Sequence, residues 1–168
     1  MNIKIIKVTK ENIKDIFLIE QTCFSIYWTE QSIADSISND SNYFNIAYVE
    51  NKPAGYMSMQ LVAGEGDIMR VAVLPEYRRL GIGRKLLQEC FSANNPDVVF
   101  LDVRENNIPA IRLYESFGFV NIGIRKNYYA NPTENAVMMK MSVEKAIWNN
   151  DDKMFKLYET LDFNNIEI

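Results

Sequence analysis

The chain has 168 residues, 48% of them hydrophobic and 24% charged, the balance of one ordinary globular domain with a sizeable core. It contains no histidine, which excludes Ser-His and Cys-His catalysis, imidazole bases and histidine-bearing metal sites together. The formal charge of −4 is uneven: residues 143–168 hold three Lys against six Asp and Glu, an acidic tail that is most simply a solvated face.

No apolar run approaches the ~18 residues that a bilayer-spanning helix needs. The N-terminus is charged from Lys4 onward and has no apolar segment of the signal-peptide kind. Cys23 and Cys90 make no disulfide framework and carry no metal-ligand spacing. These features lead to the expectation of a cytoplasmic monomer or homodimer with no metal, no nucleic-acid partner and no membrane attachment.

Residues 3–8 read as a short strand, and Thr9 offers an N-cap for a helix running to about Cys23, with Ile13, Ile16, Phe17 and Glu20 at helical spacing. Thr29 caps a second short helix marked by Ile33 and Ile37. Residues 43–50 alternate as a strand does, and Asn51, Lys52 and Pro53 are expected to turn the chain into a second strand over 54–63. A third strand spans 66–74 and stops at Pro75; the segment up to Gly83 then opens into a helix containing KLLQECF. A compact strand, VVFLDV, follows Pro96. Next comes a helix from about Asn107 to Phe117, stopped by Gly118. Strands near 119–125 and 135–142 complete the domain.

The central strand–helix–strand–helix–strand order predicts a crossover and at least one parallel pair. The flanking hairpins predict a mixed α/β sheet rather than a fully parallel one. Residues 1–142 read as one domain and 143–168 as an extension, in which Asp151 and Asp152 are placed to cap a helix carrying Phe155, Tyr158 and Leu161.

Between a strand and a helix lies Arg78-Arg79-Leu80-Gly81-Ile82-Gly83-Arg84-Lys85. Two glycines let the backbone approach a ligand, freed N–H groups point outward, and the helix dipole favours negative charge. Four basic side chains reinforce that field, and a diphosphate is the natural occupant. The loop is neither a Walker A sequence nor a full G-x-G-x-x-G fingerprint.

Arg78-x-x-Gly81-x-Gly83 resembles the Q/R-x-x-G-x-G/A signature of the GNAT superfamily of N-acetyltransferases. The resemblance implies that residues 78–84, namely Arg78, Arg79, Leu80, Gly81, Ile82, Gly83 and Arg84, hold the pyrophosphate of acetyl-CoA. Val71, Ala72 and Val73 resemble the splayed strand whose backbone follows the pantetheine arm and the acetyl carbonyl. Asn107, followed by AIRLYESFGF, resembles the later cofactor motif. FSIYWTEQSI, LDVRENN and RKNYYANPTENAVMMKM are similar to the RimI branch, which acetylates the N-terminal alanine of a small-subunit ribosomal protein. The likeness covers about residues 2–142. It implies the GNAT fold, a central, mostly antiparallel mixed sheet flanked by helices.

Acyl transfer to an amine needs a neutral amine, stabilisation of the carbonyl oxygen as it gains charge, and a proton for the departing thiolate. The resemblance places the base at Asp102 and the acid at Tyr114. Asp102 departs from the family pattern, which carries Glu there; the missing methylene withdraws the carboxylate and favours a water relay. The plain packing accounts make Asp102 an edge residue or a partner of Arg104, and Tyr114 a core residue on one stripe with Ile111 and Phe117. Trp28, Tyr128 and Tyr129 either line an acceptor channel or simply pack. An α-amine of pKa about 7.7–8.0 is roughly a tenth neutral at pH 7, against about one part in 2,500 for lysine. A modest base therefore fits a protein N-terminus better than a lysine side chain. Two other readings stay open: a small-amine acetyltransferase for polyamines or antibiotics, and a catalytically weak CoA-binding protein.

Overall fold

A computed structural model describes residues 2–143, so the helix expected in the tail lies outside the described residues. The elements are β1 (Ile3–Lys7), α1 (Ile13–Cys23), α2 (Glu30–Ile37), β2 (Asn42–Val49), β3 (Lys52–Val62), β4 (Glu65–Val73) and α3 (Ile82–Asn94), then β5 (Val98–Arg104), α4 (Ile108–Glu115), β6 (Val120–Tyr129) and β7 (Glu134–Ser142). Seven strands form one sheet in the order β1-β2-β3-β4-β5-β7-β6. Only β4 and β5 pair in parallel, which is the crossover expected from the central element order. The other neighbours are antiparallel.

Local chemistry explains most of the boundaries. Thr9 and Asn12 form a capping box around a short 3-10 turn, with the Thr9 N–H donating to Asn12 Oδ1 at 2.9 Å, and α1 follows directly. Thr29 Oγ1 accepts from the Ser32 N–H at 3.1 Å and starts α2. Asn107 Oδ1 accepts from the Ala110 N–H at 3.3 Å and starts α4. Gly118, at φ +87°, ends that helical stretch as expected.

One turn differs from the sequence expectation. The β2–β3 reversal is made by Glu50 and Asn51, both at positive φ, while Lys52 and Pro53 already pair with Val49 and Tyr48. Two left-handed residues are what a two-residue hairpin needs. Pro53 is tolerated in the strand because the register slips beside it, between Ala47 and Tyr48.

Alternation sorts the sheet into two cores. Leu86, Leu87 and Phe91 of α3, with Tyr114 of α4, pack against Met57, Met59, Val99 and Leu101 on one face. Ile16, Ile19 and Ile33 of α1 and α2 pack against Phe44, Ile46 and Tyr56 on the other. At roughly 1.5–3 kcal/mol per fully buried large apolar side chain, these two layers dominate the stability.

The sheet also splits. β4 and β5 pair only from Glu65 with Val98 to Ile68 with Leu101. Just beyond, Met59 pairs with Ile68 and Ser58 with Arg70, which leaves Met69 as the extra residue of a β-bulge. A bulge bends its strand and increases its twist. Residues 70–73 of β4 and 102–104 of β5 thus continue without pairing to each other, and a wedge opens between them.

Candidate active site

The wedge is the candidate site, where the free edge of β4, the end of that strand and the glycine loop come together. Residues 70–73 keep β3 as a neighbour on one side and turn their other backbone edge toward the opening. Val71 and Val73 pack with the α3/α4 core, whereas Ala72 belongs to the α1/α2 core. The Val73 carbonyl accepts from Arg78 Nε at 3.1 Å, which ties the glycine loop to the end of β4.

In that loop Arg79 and Gly81 both take left-handed backbone, at φ +64° and +74°. Successive amides in such a conformation turn their N–H groups into a shared concavity that suits an anion. A side chain at Gly81 would meet no protein atom within 4 Å, so the space in front of the helix N-terminus is open. Gly83 serves a different purpose. A Cβ there would lie 3.2 Å from Leu113 Cδ2, so Gly83 lets α3 and α4 approach each other.

The side chains of the loop are less uniform than the motif implies. Leu80 is exposed, whereas Ile82 is buried, so only the backbone of Ile82 is available to a ligand. The Arg84 guanidinium lies 5.5 Å from the Phe117 ring and donates to Ser116 Oγ at 3.1 Å, and burial draws its pKa down. Arg78 and Arg84 therefore brace the loop against β4 and the end of α4. Asn107 is occupied as the cap of α4.

Asp102 and Tyr114 lie on opposite faces of the sheet. Tyr114 is buried with Phe119, ring centroids 5.7 Å apart, on the α3/α4 side. Burial first and the charge of Tyr129 second push its phenol well above the usual value, so it keeps its proton at neutral pH. Asp102 alternates with buried Leu101 and Val103 and so faces the other side. Its partner is Arg125, with Nε 3.6 Å from Oδ1, and not Arg104. Arg104 instead donates to the carbonyls of Pro132 and Ala130 and to Glu134 Oε2, fixing the β6–β7 hairpin. The same guanidinium lies 4.4 Å from the Tyr129 ring.

Tyr129 acts electrostatically on groups of both faces. Its phenol is pushed up to about 12 by burial, with the charges of Asp102 and Tyr128 adding, while Arg104 and Arg70 draw it down. Asp102, Tyr129, Tyr114, Arg104 and Arg70 thus share one electrostatic neighbourhood. On the Asp102 side lies a groove of about 680 Å³ lined by Asp67, Phe100, Asp102, Arg125, Tyr128 and Met138. Burial and the charge of Asp102 raise the pKa of Asp67 within it. Cys90 is buried and its thiol is pushed up to about 12 by desolvation, which removes it as a nucleophile. Among the described residues no group of three or more His, Cys, Asp or Glu is placed to hold a metal ion.

The sequence profile of the Acetyltransferase (GNAT) family matches residues 13–119. The chain belongs to this family. It is 34% identical over 131 residues to the [Ribosomal protein bS18]-alanine N-acetyltransferase of Escherichia coli K12, which spans 74% of this chain and 87% of that one. The crystal structure of the Escherichia coli ribosomal-protein-S18-alanine N-acetyltransferase superposes with a TM-score of 0.80 at 28% identity, covering 90% of this chain and all of that one. Arabidopsis thaliana Naa50 in complex with the bisubstrate analogue CoA-Ac-MVNAL superposes with a TM-score of 0.73 at 25% identity, covering 85% and 100%. GNAT acetyltransferases use acetyl-CoA, and this chain is an N-acetyltransferase.

Three residues were not singled out from the sequence: Arg125 and Asp67, which line the groove, and Arg70, just beyond the bulge. Glu20 was marked from the sequence, on one stripe of α1 with Ile13, Ile16 and Phe17. It is fully buried there. Arg70, in the otherwise apolar run IMRVAV, stood out only weakly. The Arg125 contact depends on how β6 pairs with β7, which no local pattern encodes.

Proposed function

We propose that the enzyme transfers the acetyl group of acetyl-CoA, in the cytoplasm, to the α-amine of a protein N-terminus, an N-terminal alanine of a small-subunit ribosomal protein. The observation that carries this reading is the wedge between β4 and β5, with the carboxyl of Asp102 on one face and the phenol of Tyr114 on the other. Acetyl-CoA supplies a thioester, and the open cradle at Gly81 fits its pyrophosphate. The unpaired backbone edge of residues 71–73 is where the carbonyl oxygen would be stabilised as charge builds on it. Asp102 takes the proton released by the amine, directly or through a water molecule, as the new C–N bond forms. Tyr114 returns a proton to the departing sulfur as the C–S bond breaks. Two protein groups on opposite sides suffice, with no covalent enzyme adduct.

The groove on the Asp102 side, flanked by Tyr128, supports an extended peptide as acceptor, and the amine arithmetic supports a chain terminus over a lysine. The test is intact-mass analysis of the candidate ribosomal protein incubated with enzyme and acetyl-CoA, followed by mapping of the modified residue. A single acetyl group on the α-amine is the expected product; acetyl groups on lysines alone would refute the acceptor assignment.

A further inference from the structure

We infer that Arg70 is a positioning residue for the acceptor: it clips the α1–α2 connection, residues 24–29, against the wedge and so forms the wall that meets the incoming chain terminus. The inference rests on the reading that the acceptor reaches the wedge from the Asp102 face. Arg70 begins the unpaired half of β4, immediately after the bulge at Met69. Its side chain leaves β4 on the α1/α2 side, as does the neighbouring Ala72. There the guanidinium lies 4.5 Å from the centre of the Phe24 ring and 4.9 Å from that of Trp28. Nη2 reaches the Ile26 carbonyl at 3.5 Å, and Nε lies 3.3 Å from Glu20 Oε1. One arginine thus touches three residues of the connection.

Glu20 completes the clip. Its carboxyl is fully buried and accepts from the Trp28 N–H at 2.7 Å through Oε2 and from the Tyr56 hydroxyl through Oε1. A buried carboxyl needs several such partners, because an unpaired charge in the interior is strongly unfavourable. Glu20 therefore binds the connection from inside while Arg70 holds it from the wedge. The contact between the two is an ion pair by distance, without the alignment of a hydrogen bond. The planar guanidinium, which stacks and donates at once, cannot be reproduced by an ammonium group.

The clip also reaches the reaction centre. The charge of Arg70 acts on Tyr129, which also feels Asp102. Ile26 and Tyr27, in the clipped segment, are among the exposed large hydrophobic residues. They form an apolar surface that Arg70 helps to hold, together with Glu20 and the Phe17–Tyr27 ring contact.

Arg70→Lys and Trp28→Leu provide the test, with steady-state kinetics on an alanine-initiated peptide and timed chymotrypsin digestion read by mass at the bond after Tyr27. Arg70→Lys should raise the peptide KM at least about five-fold, with kcat and the acetyl-CoA Kd within about two-fold of the parent. Cleavage after Tyr27 should accelerate, and the double variant should add little to either single one, since both act through one contact. An unchanged peptide KM with unchanged cleavage would overturn the inference. So would equal losses in kcat, acetyl-CoA affinity and melting temperature, which mark a merely structural arginine. If the parent enzyme acetylates no peptide N-terminus, the acceptor reading fails by itself. The cleavage rate after Tyr27 then decides the clip: faster in Arg70→Lys supports it, and unchanged overturns it.

Discussion

Asp102 and Tyr114 never share a face of the sheet, yet one phenol links them: Tyr129 feels the charge of Asp102 and itself acts on Tyr114. Beside Asp102, the ladder between β4 and β5 has already stopped, at Ile68 and Leu101. An intact sheet would place hydrogen-bonded backbone between the two side chains. With the wedge open, an acid can serve the sulfur from the α3/α4 side while a base serves the amine from the other.

Tyr114→Phe should lower kcat by roughly 100-fold, within the usual range for a lost general acid, and leave the acetyl-CoA Kd within about two-fold. Asp102→Asn should cost a similar factor on a peptide substrate, whereas Asp102→Glu should keep activity, since it extends the carboxyl by one methylene toward the wedge. Stopped-assay kinetics on purified variants check all three. Full kcat in Tyr114→Phe would assign the tyrosine to the core alone, next to Phe119.

The two glycines of the loop should separate binding from stability. Gly81→Val adds a side chain whose Cβ meets no protein atom within 4 Å, at a φ of +74° that costs an L residue roughly 1–2 kcal/mol. Its effect should appear as an acetyl-CoA Kd weakened at least about ten-fold, measured by calorimetry. Gly83→Ala pushes on Leu113 across the α3–α4 contact. It should lower the melting temperature more than it weakens acetyl-CoA binding. Affinity in the parent enzyme should fall as salt is raised, because the occupant is anionic. An affinity unmoved by Gly81→Val would remove the loop as the pyrophosphate site.

Much of the local structure around the candidate site was legible in the sequence, and the reason is local. The caps at Thr9, Thr29 and Asn107, the stop at Gly118 and the anion cradle around Gly81 all depend on residues within a few positions of one another. What escaped depends on distant partners. The turn expected at Asn51, Lys52 and Pro53 lies at Glu50 and Asn51 instead, because proline usually marks a turn, and the slipped register beside Pro53 explains its place in a strand. The bulge at Met69, the Arg125 contact of Asp102 and the Arg70–Glu20 pair each join segments far apart in sequence. Hydrophobic periodicity carries no information about such pairings.

Stability should decline steeply at alkaline pH. Burial is the largest cause raising the phenols of Tyr43, Tyr48 and Tyr129, each to about 12, and it also holds Tyr56 and Tyr114 well above their ordinary value. In the unfolded chain these groups titrate near pH 10. Below that value both states keep their protons and the contribution is present in full. Above it the unfolded chain loses protons that the folded protein retains, so the stability falls as pH rises toward about 12. Melting temperatures recorded from pH 8 to 11.5 should show a shallow region followed by a fall beginning near pH 10. A flat profile through pH 11.5 would mean that these phenols ionise in the folded state without penalty.

The acceptor provides the most discriminating comparison. A peptide with a free N-terminal alanine should outperform the same peptide carrying a blocked N-terminus and a free lysine, and should outperform spermidine as well. Asp102 stands one methylene short of the family's glutamate and is engaged by Arg125 at 3.6 Å, so it is not placed for a demanding deprotonation. An α-amine is already roughly a tenth neutral at pH 7; matching that for lysine requires about 3.4 kcal/mol, from a pKa difference of roughly 2.5 at about 1.36 kcal/mol each. An extended chain would lie along the groove beside Tyr128, of which a polyamine would use little. The measurement is kcat/KM for the three acceptors at fixed acetyl-CoA. A clear preference for spermidine, or equal rates on the blocked lysine peptide, would redirect the acceptor to a small amine or a lysine side chain while leaving the acetyl transfer intact.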